Sequence, residues 1–184
     1  MTTSMQLRDI AVQALSSATA AGANVFSPRD QATWDGEYPV IFVRVDEEDG
    51  ESFGRHGPPA FTVTATLRIE ARASAPGAAD DAGAAQLLVA LEGLREQIKA
   101  AVINYPPLMS LLSQFPFFRT RIVRQADDAH DHLGAVVVEV GMEFVQGPED
   151  FYQPPAVPLE SVDLTVQMPN GTTEPGLTID LPQS

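Results

Sequence analysis

The chain predicts an α+β fold: a mixed, mainly antiparallel β-sheet backed by two α-helices, with an extended β-hairpin and a proline-rich, acidic C-terminal arm. Three observations carry that prediction. Residues 61–73 alternate without a break, Phe61, Val63, Ala65, Leu67, Ile69, Ala71 and Ala73 on one side, Thr62, Thr64, Thr66, Arg68, Glu70 and Arg72 on the other. Two separate stretches repeat apolar residues at steps of three and four, the spacing of a helix with one buried face. Seven of the fifteen prolines fall within residues 148–184. Globular strands usually run to about five or six residues, so the alternating strand is expected to outrun its sheet and project with its partner as an arm.

The first helix is predicted over residues 5–20, with Leu7, Ile10, Ala11, Ala14, Leu15 and Ala18 as its apolar stripe. Thr3 and Gln6 have the spacing of a capping box, and Gly22 supplies the stop. A short strand over 23–27 follows, and then a polar loop over 29–39 that holds the single tryptophan, Trp34. Residues 40–45, Val-Ile-Phe-Val-Arg-Val, are nearly continuously apolar, as befits a strand in the middle of a sheet. Residues 46–60 are predicted as a long loop. Acids crowd its front, and Gly50, Gly54, Gly57, Pro58 and Pro59 argue against regular structure. This loop joins the two strands into a long hairpin tipped by Asp46, Glu47, Glu48, Asp49 and Glu51.

Leu87, Leu91, Leu94, Ile98, Ala101 and Val102 predict a second helix over 80–104, with Glu92–Arg95 and Glu96–Lys99 pairs on its polar side. Pro106 and Pro107 end it, and residues 108–113 suit one or two further turns. Phe115-Pro116-Phe117-Phe118 leads into a strand over 117–125, with Arg119, Arg121 and Val123 on one side. A polar turn over 127–134 precedes the last body strand, 135–145, whose inward residues are Val136, Val138, Val140, Met142 and Phe144. Glu139 and Glu143 form its solvent face or a subunit contact. Beyond residue 146 six acids stand without a base. Leu164, Val166 and Met168, then Asn170-Gly171, then Leu177, Ile179 and Leu181 suit a small hairpin, too poor in apolar area to stand alone. The organisation read is a body over 1–146 and an arm over 147–184.

Composition narrows the function classes. With 25 acids against 11 bases the net charge is −14, which argues against tight, non-specific binding of nucleic acid. There is no cysteine, hence no disulfide and no thiolate metal site. No run nears the roughly 18 apolar residues of a membrane span, and residues 1–5 lack the pattern of a signal peptide. His130-Asp131-His132, beside Asp127 and Asp128, has the atoms of a metal site but no second ligand cluster, so a solvated turn is the simpler reading. The acids over 46–51 lack the ligand order of a calcium loop. No nucleophile elbow, phosphate loop or dinucleotide fingerprint occurs. Arg119, Arg121 and Arg124 suit either an anionic partner or cross-strand pairing with acids. No cofactor is expected, and the chain reads as a protein that works through its surfaces rather than an enzyme.

The order of elements resembles the lambda-type tail terminator proteins of long-tailed phages. The residues that carry the likeness are Leu7-Arg8 and Ala14-Leu15 in the first helix, Asn24-Val25-Phe26, and Asp35-Gly36-Glu37-Tyr38-Pro39-Val40 before the apolar strand. The acid-rich hairpin, Thr66-Leu67-Arg68-Ile69-Glu70 and the closing strand from Val136 to Phe144 complete it. The match spans residues 5–146 as a pattern of elements rather than a signature motif.

The resemblance implies a structural virion protein. Six copies form a ring that caps the tail tube, ends tube polymerisation and provides the joint to the head. Its partners would be itself, the tail tube protein and a head–tail connector or neck protein, with DNA passing through the channel without specific binding. It would assemble in the host cytoplasm and reside at the neck-proximal end of the tail. On that reading Asp46, Glu47, Glu48, Asp49, Glu51, Arg119, Arg121 and Arg124 are tube or subunit contacts, and Asp127, Asp128 and Asp131 contribute charge to the channel. Residues from 147 onward have no counterpart in short family members. The alternatives are another neck or head-completion ring, or a small metal-dependent enzyme using the His130 and His132 turn.

Overall fold

A computed structural model describes residues 1–27, 36–53, 57–77, 81–125, 131–151, 161–171 and 173–180. Helix α1 spans Ser4–Ala18. Thr3 is extended, and its Oγ1 accepts a hydrogen bond from the Gln6 N–H at 3.2 Å, which satisfies one of the free amides of the first turn. Leu7, Ala11, Ala14 and Leu15 are buried and Ile10 packs at the margin, but Ala18 is exposed. The helix ends before Gly22: Thr19 turns extended, and its hydroxyl donates back to the Leu15 carbonyl.

Strand β1, Val25–Phe26, lies parallel to the start of β2, Val40–Ser52. Strand β3, Phe61–Pro76, runs antiparallel to β2 and, along its whole length, to β5, Asp131–Gln146; β4, Phe118–Gln125, pairs with β5. The resulting five-stranded sheet has the order β1-β2-β3-β5-β4. Its mixed, mainly antiparallel pairing, backed by helices, is the α+β architecture expected.

Helix α2, Ala82–Val102, buries Leu87, Leu91, Leu94, Ile98, Ala101 and Val102, the stripe read from the sequence. They meet Leu67, Ile69, Ala71, Ala73, Val136, Val138 and Val140, the inward residues of β3 and β5. Burial of each large aliphatic side chain contributes about 1.5–3 kcal/mol. Both helices cover this one face of the sheet. The single turns α3, Pro106–Met109, and α4, Pro148–Phe151, complete the body; Leu108 is buried, and Phe151 meets Phe61 edge-on at 5.4 Å.

Several expectations need correction. Residues 46–52 are not loop: β2 continues through them, pairing Glu47 with Thr66 and Ser52 with Phe61. The acids therefore line the outer strand of the hairpin rather than its tip. An extended neighbour with unused N–H and C=O groups outweighs the poor strand propensity of acids and glycine. Strand β3 does not outrun its sheet either, because β5 pairs with it from Phe61 to Pro76 and its apolar side stays buried down to Val63. The apolar strand is second from one edge, not central, and β1 flanks only its Ile41 and Phe42. The last strand starts earlier than expected, so that Asp131 to Gly134 lie in β5 rather than in a turn. Pro106 opens α3, where its missing N–H is harmless. On α2, Arg95 pairs with Glu96 at 3.2 Å, not with Glu92, while the Glu96–Lys99 pair forms at 2.7 Å.

The chain divides into two compact units, 1–151 and 152–184, so α4 belongs to the first. In the second, β6, Ser161–Gln167, pairs antiparallel with β7, Thr173–Asp180. Gly171 in the connection has φ +85°, a conformation that suits glycine. Leu164, Val166, Met168 and Ile179 are all exposed. Leu181 and Trp34 lie outside the described residues. Among the described residues no helix is long and apolar enough to cross a membrane.

Candidate interaction face

The face of the sheet turned away from the helices carries most of the charge. Alternation on β3 and its register with β5 and β4 place Arg68 level with Glu139 and Arg119, Glu70 level with Val137 and Arg121, and Arg72 level with Ala135 and Val123. On β2, Arg44 stands beside Arg68 and Phe42 beside Glu70. One end of the face thus gathers five guanidinium groups around Glu70 and Glu139. Arg68 reaches Glu139 at 3.4 Å and Glu70 at 3.9 Å, and Arg72 reaches Glu70 at 3.0 Å. Arg72 also lies over the Phe42 ring, 5.8 Å from its centroid, and Phe42 meets Phe26 at 6.4 Å. These neighbours explain why Val40 and Phe42 are buried although they point away from the helices. A hollow of about 260 Å³ opens between Arg68, Glu70, Arg72, Arg121, Leu133 and Val137.

The other end of the same face is acidic. A bulge between Val45 and Glu47 makes Asp46 the extra residue, after which Glu47, Asp49 and Glu51 stand level with Thr66, Thr64 and Thr62. Glu143 on β5 joins them, held by Gln114 Nε2 at 3.0 and 3.1 Å. The sheet face is therefore electrically divided along its strands.

The residues singled out from the sequence fall as follows. Asp46 pairs with Arg44 at 2.7 Å. Glu47, Asp49 and Glu51 are exposed on the divided face. Glu48 turns to the helix side, where the Ser4 hydroxyl donates to its carboxylate. Arg119 and Arg121 are exposed on the divided face; Arg119 stacks over Phe117, 4.5 Å from the ring centroid. That ring sits over Gly141, where a Cβ would come within 2.7 Å of Phe117 Cε1, so the glycine leaves room for the platform that carries Arg119. Arg124 stands at the register of Gly134 and Asp131 at that of Pro76, and their side chains lie outside the description. Asp127, Asp128, His130 and His56 lie outside the described residues. His132 packs against the start of α2, its Cδ2 within 2.6 Å of where a Cβ on Gly83 would sit. Among the described residues no group of three metal-ligating side chains gathers.

Arg44, Arg68 and Arg72, absent from the candidates named above, turn out to share the face with Arg119 and Arg121. The alternation of charge at 68, 70 and 72 was a usable sign; the register that sets β4 beside β5 was not written locally. Away from this face, the hydrogen bond from Lys99, reinforced by Arg95, holds the exposed Glu96 carboxyl below its ordinary 4.5. No family model matches the chain, and no curated protein matches it.

Proposed function

We propose that the protein is a tail-terminator subunit. Six copies close a collar on the finished tail tube of a long-tailed phage, stop further addition of tube subunits, and present the opposite rim to the neck. The action is geometric rather than catalytic and uses no cofactor. The observation that carries this reading is the hairpin of β2 and β3, extended with β5 beyond the reach of β1 and β4. It forms a plate of three strands, flanked on the β5 side as far as Glu143 by the run from Ser113 to Phe117, and its outer strand β2 is lined with acids. A protein built to meet other proteins gains from such a plate, because strand edges and alternating side chains give both register and selectivity.

The order of elements over residues 5–146 supports the same reading, as does the charge of −14, which lets DNA pass a channel without adhering. The protein would then reside at the neck-proximal end of the virion, after assembly in the host cytoplasm. Negative-stain microscopy of the purified chain mixed with tail tubes provides the test. The expected result is a ring at one tube end and arrest of tube growth. Virions that lack the protein at the head-proximal end of the tail would overturn it.

A further inference from the structure

Two edges of the sheet are unlike and complementary. Among the described residues, β2 from Arg44 to Ser52 has a strand only on its β3 side, and β4 has one only on its β5 side. Open edges of this kind present unused backbone donors and acceptors and accept a further strand readily. Along the β2 edge, Glu47, Asp49 and Glu51 are exposed at alternate positions on the divided face. Along the β4 edge, Arg119 and Arg121 are exposed at alternate positions on that same face. Among the described residues none of these five makes an ion pair. Alternate residues on any strand recur at about 6.8 Å, so the two rows of charge have a common spacing.

We propose that the acidic outer edge of β2 in one copy of this chain seats against the basic outer edge of β4 in the next copy. This deepens the collar reading above and rests on it for closure, though not for the contact itself. Strand directions allow it: β2 and β5 run one way, β3 and β4 the other, so a copy rotated about an axis along the strands brings β2 antiparallel beside β4. The charges are not level within one subunit. Asp49 stands opposite Thr64, whereas Arg119 and Arg121 stand level with Arg68 and Glu70, a stagger of about five residues. A sheet that closes on itself has tilted strands and requires a stagger of this kind. Because the two edges differ, the contact is heterologous, and copies add head to tail until the rotation closes. Backbone pairing holds the strands, while the exposed ion pairs, each weak, set register and exclude like edges.

The test uses the full chain at low ionic strength, followed by sedimentation velocity and native mass spectrometry. One variant carries Glu47→Lys, Asp49→Lys and Glu51→Lys; the other carries Arg119→Glu and Arg121→Glu. Wild type is expected to form closed oligomers. Each folded variant alone should associate at least tenfold more weakly, a change of about 1.4 kcal/mol, because like charges meet at its contact. An equal mixture should regain oligomers holding the two masses in equal number. Should a reversed variant fail to fold, Glu47→Gln, Asp49→Asn and Glu51→Gln, against Arg119→Gln and Arg121→Gln, decide the matter by the same loss of association. The proposal is overturned if either variant alone assembles like wild type, if the folded variants fail to complement, or if wild type stays monomeric at about 100 μM, well above ordinary specific affinities. It is equally overturned if the Arg119 and Arg121 edge binds duplex DNA in preference to a second copy. Rings that form this way yet never occupy tube ends would refute the tail function and leave the contact standing; tube-end collars built by either variant alone would do the reverse.

Discussion

Among the described residues Glu70 is the buried charged residue, 8% exposed. It is tolerable there because Arg72 and Arg68 lie at 3.0 and 3.9 Å, and a charge that leaves water needs such partners. Replacing it with alanine removes the carboxylate that Arg72 meets at 3.0 Å and leaves Arg68 to its pair with Glu139 in a half-buried site. Glu70→Ala is expected to lower stability by about 2 kcal/mol in urea unfolding, and a loss below about 0.5 kcal/mol would show that water replaces the carboxylate without cost. The alternation Arg68-Glu70-Arg72 correctly marks a polar side of β3. Its burial was illegible, because it depends on Phe42 and Val137, strands away in sequence, falling level with Glu70. Glu96 behaves differently. Its carboxyl titrates below the ordinary value, so the pair with Lys99 contributes fully at neutral pH and is lost as pH falls through that lowered value; contact with solvent keeps the effect small.

At the level of elements, the two long helices were legible, whereas the single turn α4 and the outer part of β2 were not. The α2 stripe repeats within a single turn of chain, so local spacing alone identifies Leu87 through Val102 as its buried face. Leu91 is fully buried between α2 and the sheet. Leu91→Ala should therefore cost about 3 kcal/mol by thermal or urea unfolding, whereas Thr3→Ala, which removes only the α1 cap, should cost about 1 kcal/mol. Equal losses would mean that the core around Leu91 collapses to fill its space. Residues 46–52 read as loop because acids and Gly50 disfavour strands in isolation. They are strand because β3 offers a ladder from Phe61 to Thr66 for them to join. That is a property of the neighbour, and no window over 46–52 contains it.

For the whole molecule, the apolar core formed by the described residues runs from Leu7 to Phe144, within the first compact unit. A chain ending at Phe151 is expected to fold with a stability within about 0.5 kcal/mol of the full chain; non-cooperative melting of that truncated protein would show that residues 152–184 supply part of the core. The second unit pairs β6 with β7 but leaves Leu164, Val166, Met168 and Ile179 exposed, too little buried apolar area for a hairpin to persist by itself. Its strands could be read from spacing and from Asn170-Gly171. The division of charge over the sheet face could not, since it emerges only when Arg44, Arg68, Arg72, Arg119 and Arg121 are brought together from three strands.

The extra residue at Asp46 sets a parity. Upstream of it, even-numbered positions of β2 share the side with Arg68; downstream, odd-numbered ones do. Were Asp46 instead to take an ordinary place in the ladder, opposite Thr66, the count would run unbroken and the strand beyond it would roll half a turn. Glu47, Asp49 and Glu51 would swing under the sheet toward α1, leaving Asp46 and Glu48 alone on top. Loss of the bulge, with every residue kept, is thus enough to erase most of this edge's negative signature, whereas deletion of Asp46 would leave Glu47, Asp49 and Glu51 where they are.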